Sequence, residues 1–323
     1  MSPVYKATPD DFDACRDMLR RGSRSFSAAA LLLPERVREP AAALYAFCRM
    51  ADDAIDQSND PGAVDMLRRR LELVYQGRPS DNAVDRAFAQ VVAEHDLPRP
   101  LIEALIEGFA WDAEGRRYTT ISELCAYGAR VAGTVGAMMT VLMGPRSAEI
   151  MARACDLGVA MQLTNIARDV GEDARAGRLY LPLSWLEEAE VSPAEFLRSP
   201  QPSRGITSVV ERLLRYADVL YIRSDSGIAM LPPDCRTAIR AARLIYADIG
   251  REIASAGYDS VSRRAYTSTF RKLWLVLRAF FARDEELRAP VSAAPLPETA
   301  FLVSAAILPG TSSTPPQLKE ATT

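Results

Sequence analysis

Apolar residues recur along this chain mostly at intervals of three and four, which is the spacing of one face of an α-helix. Turn and capping residues bound these segments, and the alternation typical of strands is scarce. The longer predicted helices cover about residues 8–22, 39–56, 120–144, 147–173, 232–257 and 264–287. The pattern predicts an all-α fold whose single domain covers residues 8–288.

The composition changes after Ala289, where proline, alanine, serine and threonine predominate in "APVSAAPLPE" and "PGTSSTPPQLKEATT". Such segments bury too little apolar surface to offset the entropy of ordering. We therefore expect residues 289–323 to form a disordered or loosely attached tail.

The helix that follows Glu39 carries an unusual row of polar residues. Between residues 41 and 51 only Tyr45 and Arg49 have polar side-chain atoms, and Asp52 and Asp56 continue the row. Spacings of 4, 3 and 4 place all four side chains on one face of a largely apolar helix. A charged group in apolar surroundings needs a partner or a function.

A second polar stripe of the same shape lies in "MQLTNIARDVGED". It consists of Gln162, Asn165, Asp169 and Asp173, with Arg168 and Glu172 alongside. Two such helices could face each other across one cavity. The alternative interpretation is two solvated faces or structural ion pairs between helices, because five D-x-x-x-D pairs occur in the chain and Asp13/Asp17 lies among other polar residues.

The residue types of the two stripes favour one chemistry. Paired carboxylates can hold Mg²⁺, which prefers oxygen ligands and often binds substrate phosphates as well. Such an ion stabilises a leaving diphosphate, and nearby arginines bind phosphate oxygens through forked hydrogen bonds. No activated nucleophile is evident, so we expect ionisation of the substrate in a cavity that excludes water.

The segment between the stripes, residues 127–144, carries no charge after residue 130 and contains Gly133 and Gly136. Each glycine in a helix interior costs about 1 kcal/mol relative to alanine. A prenyl chain lying against the helix would explain these small residues. Close packing against another helix explains them equally well.

Composition excludes several classes of protein. The net charge of −3 gives no support to nucleic-acid binding. Five scattered cysteines without a C-x-x-C pair indicate thiols in a reducing compartment, and His95 is the single histidine, which disfavours a Ser-His-Asp triad. The acidic start has no signal-peptide character, and the apolar runs are shorter than a spanning helix of about 20 residues. We expect a soluble cytoplasmic protein, with surface contact to a membrane left open.

Several motifs together resemble the squalene/phytoene synthase family, and within it the bacterial phytoene-forming members. They include "CRMADDAIDQ", "DAEGRRYTT", "YGARVAGTVG", "LTNIARDVGEDARAGRLYLP" and "SVSRRAYTSTFRKLWL". The resemblance extends over about residues 11–288 in the right order, which is far more specific than one D-x-x-x-D pair.

The resemblance implies an isoprenoid-synthase helical bundle with a central cavity and Mg²⁺, or Mn²⁺ as the alternative ion. The implied metal ligands are Asp52, Asp53, Asp56, Asn165, Asp169, Glu172 and Asp173. The implied phosphate-contacting residues are Ser23, Arg24, Tyr45, Arg49, Gln162, Asn165 and Arg168, with Tyr246 and Arg264 closing the site. The implied lining of the prenyl channel is Phe26, Val131 and Gly133.

The family reaction joins two molecules of geranylgeranyl diphosphate head to head through prephytoene diphosphate, and proton loss then gives phytoene. No NADPH is expected for that product. The apolar product implies delivery to a bilayer, although no segment identifies the docking face. The oligomeric state cannot be read from the sequence.

Three other functions also fit parts of the sequence. "DDAID" also fits a chain-elongating prenyl synthase, but "NIARDVGED" does not supply the second D-D-x-x-D of that family. A squalene- or dehydrosqualene-type synthase acting on farnesyl diphosphate shares the same motifs. A catalytically inactive relative acting as an assembly protein could lose its aspartates freely, whereas both pairs are intact here.

Overall fold

All regular structure described by the computed structural model is helical. The model describes residues 5–22, 24–56, 62–282 and 293–307, and of residues 24, 25 and 56 it describes the backbone alone. No strand occurs in these ranges. The predicted all-α fold is therefore confirmed.

Fifteen α-helices follow one another within the described residues. They are α1 (Pro9–Gly22), α2 (Arg24–Ala30), α3 (Glu35–Asp56), α4 (Ala63–Tyr75), α5 (Ala83–His95), α6 (Arg99–Ala113), α7 (Ile121–Gly128), α8 (Thr134–Met143), α9 (Ala148–Arg175), α10 (Leu183–Glu188), α11 (Pro193–Arg198), α12 (Arg204–Met230), α13 (Pro233–Ser255), α14 (Thr269–Phe281) and α15 (Ala300–Ile307). A π-helical segment, Ala129–Gly133, joins α7 to α8, and a 3₁₀ turn, Pro297–Thr299, precedes α15.

Helix α9 forms the centre of the bundle. Its 28 residues pack against α8, α12, α13, α15 and the π-helical segment. A Cβ at Gly158 would lie 2.3 Å from the Ala132 carbonyl oxygen, and one at Gly136 would lie 2.3 Å from that of Ala154. Glycine at both positions therefore allows α9 to touch the backbone of its neighbours, which supports the packing interpretation of Gly136.

Helix α3 begins four residues earlier than the sequence predicts. The pair Glu39–Pro40 was expected to open the helix, but it starts at Glu35 and Pro40 lies inside it. The backbone N–H groups of Val37 and Arg38 both bond to the Pro34 carbonyl. Proline removes only one backbone donor, so the preceding turn can form around it.

The expected loose tail is wrong for residues 293–307. Leu302, Val303 and Ala306 are buried, and α15 packs against α6, α8 and α9. Arg153, itself buried, donates to the Ala293 carbonyl at 3.0 Å. The average composition of the tail hides the apolar run "FLVSAAI", which forms a buried helix face. Residues 289–292 and 308–323 lie outside the described ranges.

Two further predictions concern the cysteines and membrane-spanning helices. All five cysteines are free thiols, and four of them are buried while Cys48 is half-buried. Within the described part of the chain, no helix combines the length and the apolar character needed to cross a membrane.

Candidate active site

The two polar stripes line one polar cavity of about 660 Å³ between α3 and α9. Its walls include Tyr45, Arg49 and Asp52 from α3, and Gln162, Asn165, Arg168, Asp169 and Asp173 from α9. The structure therefore brings these side chains together at one cavity, which is the arrangement that two matching stripes allow. The two stripes are therefore not two separate helix faces that point into bulk solvent.

Other predicted residues lie at the same cavity or at its edge. Phe26, Tyr246 and Arg264 contribute to its lining. Asp53 is paired with Arg49 at 2.5 Å and is not among the residues that line the cavity. Glu172 has a half-exposed side chain and faces Arg264 at 3.4 Å.

Four predicted positions are not placed in the site. Ser23 lies outside the described residues, and so do the side chains of Arg24 and Asp56. Gly133, predicted to line the prenyl channel, is buried between α9 and α15, where an added Cβ would lie 3.4 Å from Leu302 Cδ1 and 3.7 Å from Val159. Gly133 therefore lies against these side chains and is not among the residues that line either cavity.

Arginines neutralise the carboxylates at the polar cavity. Arg168 makes a forked contact with Asp169 at 2.7 and 2.6 Å, and Arg264 Nε donates to the same carboxylate at 2.7 Å. Burial raises the pKa of Asp169, but hydrogen bonds from the two guanidinium groups outweigh burial and hold it below its ordinary value. Arg49 likewise reaches Asp52 at 3.4 Å. These guanidinium groups are the phosphate-binding candidates, so a diphosphate would compete with the carboxylates for them.

Asp173 lacks such compensation. Its carboxylate is 3.9 Å from the nearest guanidinium nitrogen in its ion pair, that of Arg178. Burial, followed by the negative charge of Asp169, raises the pKa of Asp173 to about 7. The part of the stripe nearest the C-terminus of α9 therefore holds a buried carboxylate that arginine compensates poorly, and a cation bound there would stabilise its ionised form.

A loop after α13 positions Arg264 over α9. The backbone N–H of Gly171 donates to the Ser260 carbonyl at 3.0 Å, and Arg175 donates to the Val261 carbonyl at 2.7 Å. An added Cβ at Gly171 would lie 2.5 Å from the Val261 carbonyl oxygen. Glycine on α9 therefore allows the loop to approach and places Arg264 against Asp169.

A group of residues that the stripes do not predict completes the polar wall. Tyr127 and Tyr180 each donate a hydroxyl hydrogen bond of 2.8 Å to Asp112, one to each carboxylate oxygen. Burial raises the pKa of Asp112 to about 6. The motifs "DAEGRRYTT" and "YGARVAGTVG" contain Asp112 and Tyr127, but nothing in their spacing indicates that these residues meet.

The polar cavity leads into an apolar cavity of about 260 Å³. Five side chains, Phe26, Val131, Gln162, Asn165 and Tyr246, line both. Beyond them the walls are almost entirely aliphatic, formed by α2, α8, α9, α12 and α13. An amphipathic ligand with a charged head and a hydrocarbon chain matches this arrangement.

The donor set fits a hard divalent cation in its chemistry. The α9 stripe supplies amide and carboxylate oxygens, and Mg²⁺ prefers such ligands. Burial, and after it the charge of Asp169, raises the pKa of Asp173, so a bound cation would favour its ionised form. However, among the described residues no three acidic, histidine or cysteine side chains already form a group that could hold a metal ion. Arginines occupy Asp52 and Asp169 instead.

Comparison with known proteins agrees with the geometry. The family model of squalene/phytoene synthase matches residues 19–271. The phytoene synthase of Rhodobacter capsulatus is 55% identical over 304 residues, which cover 92% of this chain and 90% of that relative. That of Cereibacter sphaeroides is 56% identical over 311 residues, covering 92% of this chain and 88% of the relative.

Solved structures share the fold. A dehydrosqualene synthase in complex with a ligand has a TM-score of 0.77 and 32% identity, covering 84% of this chain and 95% of that one. A squalene synthase from Alicyclobacillus acidocaldarius has a TM-score of 0.72 and 25% identity, covering 77% and 95% of the two chains. Sequence and structure agree that the chain belongs to the squalene/phytoene synthase family.

Proposed function

We propose that this protein is a phytoene synthase, which joins two molecules of geranylgeranyl diphosphate head to head in carotenoid biosynthesis. The observation that carries the proposal is the continuity between an arginine- and carboxylate-lined cavity and an apolar one. The relatives with 55% and 56% identity over most of the chain are named phytoene synthases, which supports this product over a C30 hydrocarbon.

The arginines of the polar cavity would bind the diphosphate groups. Arg49, Arg168 and Arg264 each contact a carboxylate there, and guanidinium groups make comparable forked bonds to phosphate. Tyr45, Gln162 and Asn165 add polar contacts to the same walls. Held in this way, the leaving diphosphate stays next to the cation that forms when its C–O bond breaks.

The aspartates would hold Mg²⁺, with Mn²⁺ as the alternative ion. The ligands we propose are Asp52 and Asp56 from α3 and Asn165, Asp169 and Asp173 from α9. When bound, the ion withdraws electron density from the leaving diphosphate. Arg168 and Arg264, which now contact Asp169, would be available to phosphate oxygens once a cation compensates that carboxylate.

The apolar cavity would hold the hydrocarbon chains and exclude water from the allylic cation. The double bond of the second substrate attacks that cation, and loss of a proton closes a cyclopropane. Loss of the second diphosphate, ring rearrangement and loss of a second proton then give phytoene. The two substrates thus yield one C40 hydrocarbon, two diphosphates and two protons, with no reductant such as NADPH.

Product analysis tests the proposal directly. Purified protein is incubated with Mg²⁺ and either geranylgeranyl or farnesyl diphosphate, without NADPH, and the hydrocarbon is identified by mass spectrometry. We expect a C40 triene from the first substrate. Preferential formation of a C30 product would contradict the substrate assignment, and no turnover of any prenyl diphosphate would favour a non-catalytic assembly protein.

A further inference from the structure

Exposed apolar side chains are concentrated on one helix near the carboxyl end of the domain. Thirteen large hydrophobic side chains are exposed among the described residues, and seven of them lie between residues 266 and 281. These are Tyr266, Phe270, Leu273, Trp274, Leu277, Phe280 and Phe281. Scattered exposed apolar residues are ordinary, but a contiguous patch of this kind marks a surface that binds something.

The patch is the outer face of α14. Positions 270, 273, 274, 277, 280 and 281 follow the three- and four-residue spacing of one side of a helix. The opposite side is already used, because Leu275 and Ala279 are fully buried and α14 packs against α13. In the described part of the chain nothing covers the outer face, where Phe270 is 88% and Phe281 78% exposed.

The charge around this face is basic, although the chain as a whole carries −3. Residues 260–282 contain five basic side chains and no acidic one, and two of the five, Arg264 and Arg271, are paired with Asp169 and Asp248. Arg278 and Arg263 are exposed, and Arg278 lies over the Trp274 ring at 5.8 Å. Arg271 is paired with the buried Asp248 and also lies over Trp274, at 4.7 Å. Aromatic and aliphatic side chains bordered by arginine and lysine are typical of helices that lie in a membrane interface.

We propose that α14 docks this protein on anionic lipid bilayers, with the outer face of the helix inserted at the level of the headgroups. The exposed Phe, Leu and Trp side chains would enter the acyl boundary, while Arg263 and Arg278 contact lipid phosphates. This proposal rests on the proposed function only for the purpose of docking. A C40 hydrocarbon would pass most readily from the enzyme into a bilayer.

Other occupants fit this face less well. A second copy of the chain docked through α14 would place basic residues opposite basic residues, because a two-fold contact pairs the same surface with itself. The adjoining segment 283–292, "RDEELRAPVS", offers only Leu287 and Val291 as large apolar side chains against the six on the helix. An anionic bilayer complements both the charge and the apolar area.

The location suits the transfer of an apolar product. Helix α13 packs against α14 and also contributes Ala238, Ile239, Ala242 and Tyr246 to the wall of the apolar cavity. The docking face is therefore one helix away from the cavity that would hold the hydrocarbon. Bilayer contact would bring that wall close to the lipid.

Vesicle flotation with the full chain tests the proposal. The probes are vesicles of phosphatidylcholine alone and vesicles with one quarter phosphatidylglycerol, at low and at 500 mM salt. We expect the protein to float with the anionic vesicles at low salt and to be released by high salt. The triple variant Leu273→Ser, Leu277→Ser and Phe281→Ser should lose at least tenfold in vesicle affinity, and Arg263→Glu with Arg278→Glu should lose affinity for the anionic vesicles only.

A matched control changes exposed apolar residues elsewhere. Val219 and Ile222 on α12 are 57% and 58% exposed, and Val219→Ser with Ile222→Ser should float like the wild type. All variants alter exposed positions, so circular dichroism and turnover in detergent should stay unchanged. Turnover in detergent also separates failure of docking from failure of the proposed function.

Three results would overturn the proposal. One is no flotation with either vesicle, and another is undiminished flotation of the triple variant. The third is a dimer of the wild type in light scattering that the triple variant loses, which would assign the face to a second copy. A blue shift of tryptophan fluorescence on anionic vesicles, absent in Trp274→Phe, would independently support insertion of α14.

Discussion

At the scale of single residues, Gly171 has no functional side chain, but its small size determines where Arg264 lies in the site. A Cβ there would lie 2.5 Å from the Val261 carbonyl oxygen and 2.8 Å from Val261 Cα. Both atoms belong to the backbone, so the loop must shift, and the contact between Arg264 and Asp169 must shift with it. We predict that Gly171→Ala and Arg264→Ala each lower kcat/KM at least tenfold, and that Gly171→Ala destabilises the fold by about 1–3 kcal/mol.

The control for this prediction is another helical glycine. An added Cβ at Gly250 would meet only Leu214 Cδ2, at 3.3 Å, and a flexible side chain can move. Gly250→Ala should therefore keep near wild-type turnover. Steady-state kinetics and thermal unfolding of the three variants provide the comparison, and equal activity of Gly171→Ala and Gly250→Ala would contradict the positioning role of the loop.

Asp112 should make the folding stability depend on pH. Burial raises its pKa from 3.8 to about 6, so the protonated form favours the folded state. That contribution is fully present below pH of about 4 and is lost as the pH rises to about 6, at a cost of up to roughly 3 kcal/mol. We predict that Asp112→Asn flattens the fall in stability across this range, as measured by urea unfolding.

The exposed Asp65 on α4 supplies the control for Asp112. Its side chain is 69% exposed, and Asp65→Asn should keep the wild-type pH dependence. A residual slope toward pH 7 should remain in Asp112→Asn, because Asp173 has a pKa raised to about 7. If the unfolding free energy of the wild type and of Asp112→Asn changed equally with pH, the prediction would be wrong. Ionisation of Asp112 between Tyr127 and Tyr180 would then cost little free energy.

At the scale of helices, the helix α15 gives the clearest test of packing. Leu302 is fully buried, and a Cβ added at Gly133 of the π-helical segment would lie 3.4 Å from it. Truncating such a side chain usually costs 2–5 kcal/mol, so we predict that Leu302→Ala loses about that much unfolding free energy. Ile307→Ala, at the 40% exposed end of the same helix, should change stability by no more than about 0.5 kcal/mol. If the two variants unfold alike, α15 does not contribute to the core.

Helices were predictable from the sequence where the chain marks their ends. Ser147 accepts the Ile150 N–H and Thr120 accepts the Glu123 N–H, and both helices begin where these residues predict. The start of α3 was missed because Pro40 can be accommodated inside a helix at the loss of one bond. The sequence did not predict that α15 is an ordered helix, because its apolar run is short and is surrounded by residues typical of disordered segments.

The site was predictable where a single helix carries it. Each stripe follows from spacing within α3 or α9, so the cavity-lining residues of both could be named in advance. Asp112, Tyr127 and Tyr180 come from three separate segments, and periodicity within one helix holds no information about how such segments meet. The face that a helix turns to a cavity depends on its neighbours, so the place of Gly133 against Leu302 could not be read from spacing either.

At the scale of the whole molecule, the proposed reaction requires α3 and α9 to bind one ligand cluster together. Each helix brings carboxylates and arginines to the polar cavity, so Mg²⁺ and pyrophosphate should bind cooperatively. A ligand at 100 times its Kd stabilises the folded state by about 2.7 kcal/mol. We predict a rise in Tm of about 5 °C or more when both ligands are present, and a much smaller rise with either one alone.

Variants on each helix separate a shared cluster from two independent sites. Asp52→Ala on α3 and Asp169→Ala on α9 should each fold, abolish most of this cooperative shift and lose at least a hundredfold in turnover. Asp17→Ala, in the equally spaced Asp13/Asp17 pair on α1, should keep both, because Asp17 forms an ion pair with Arg20 on the outside of the bundle. If Asp169→Ala abolished the shift while Asp52→Ala kept it, the two helices would bind their ligands separately, and a reaction that needs both diphosphates in one cavity could not proceed as proposed.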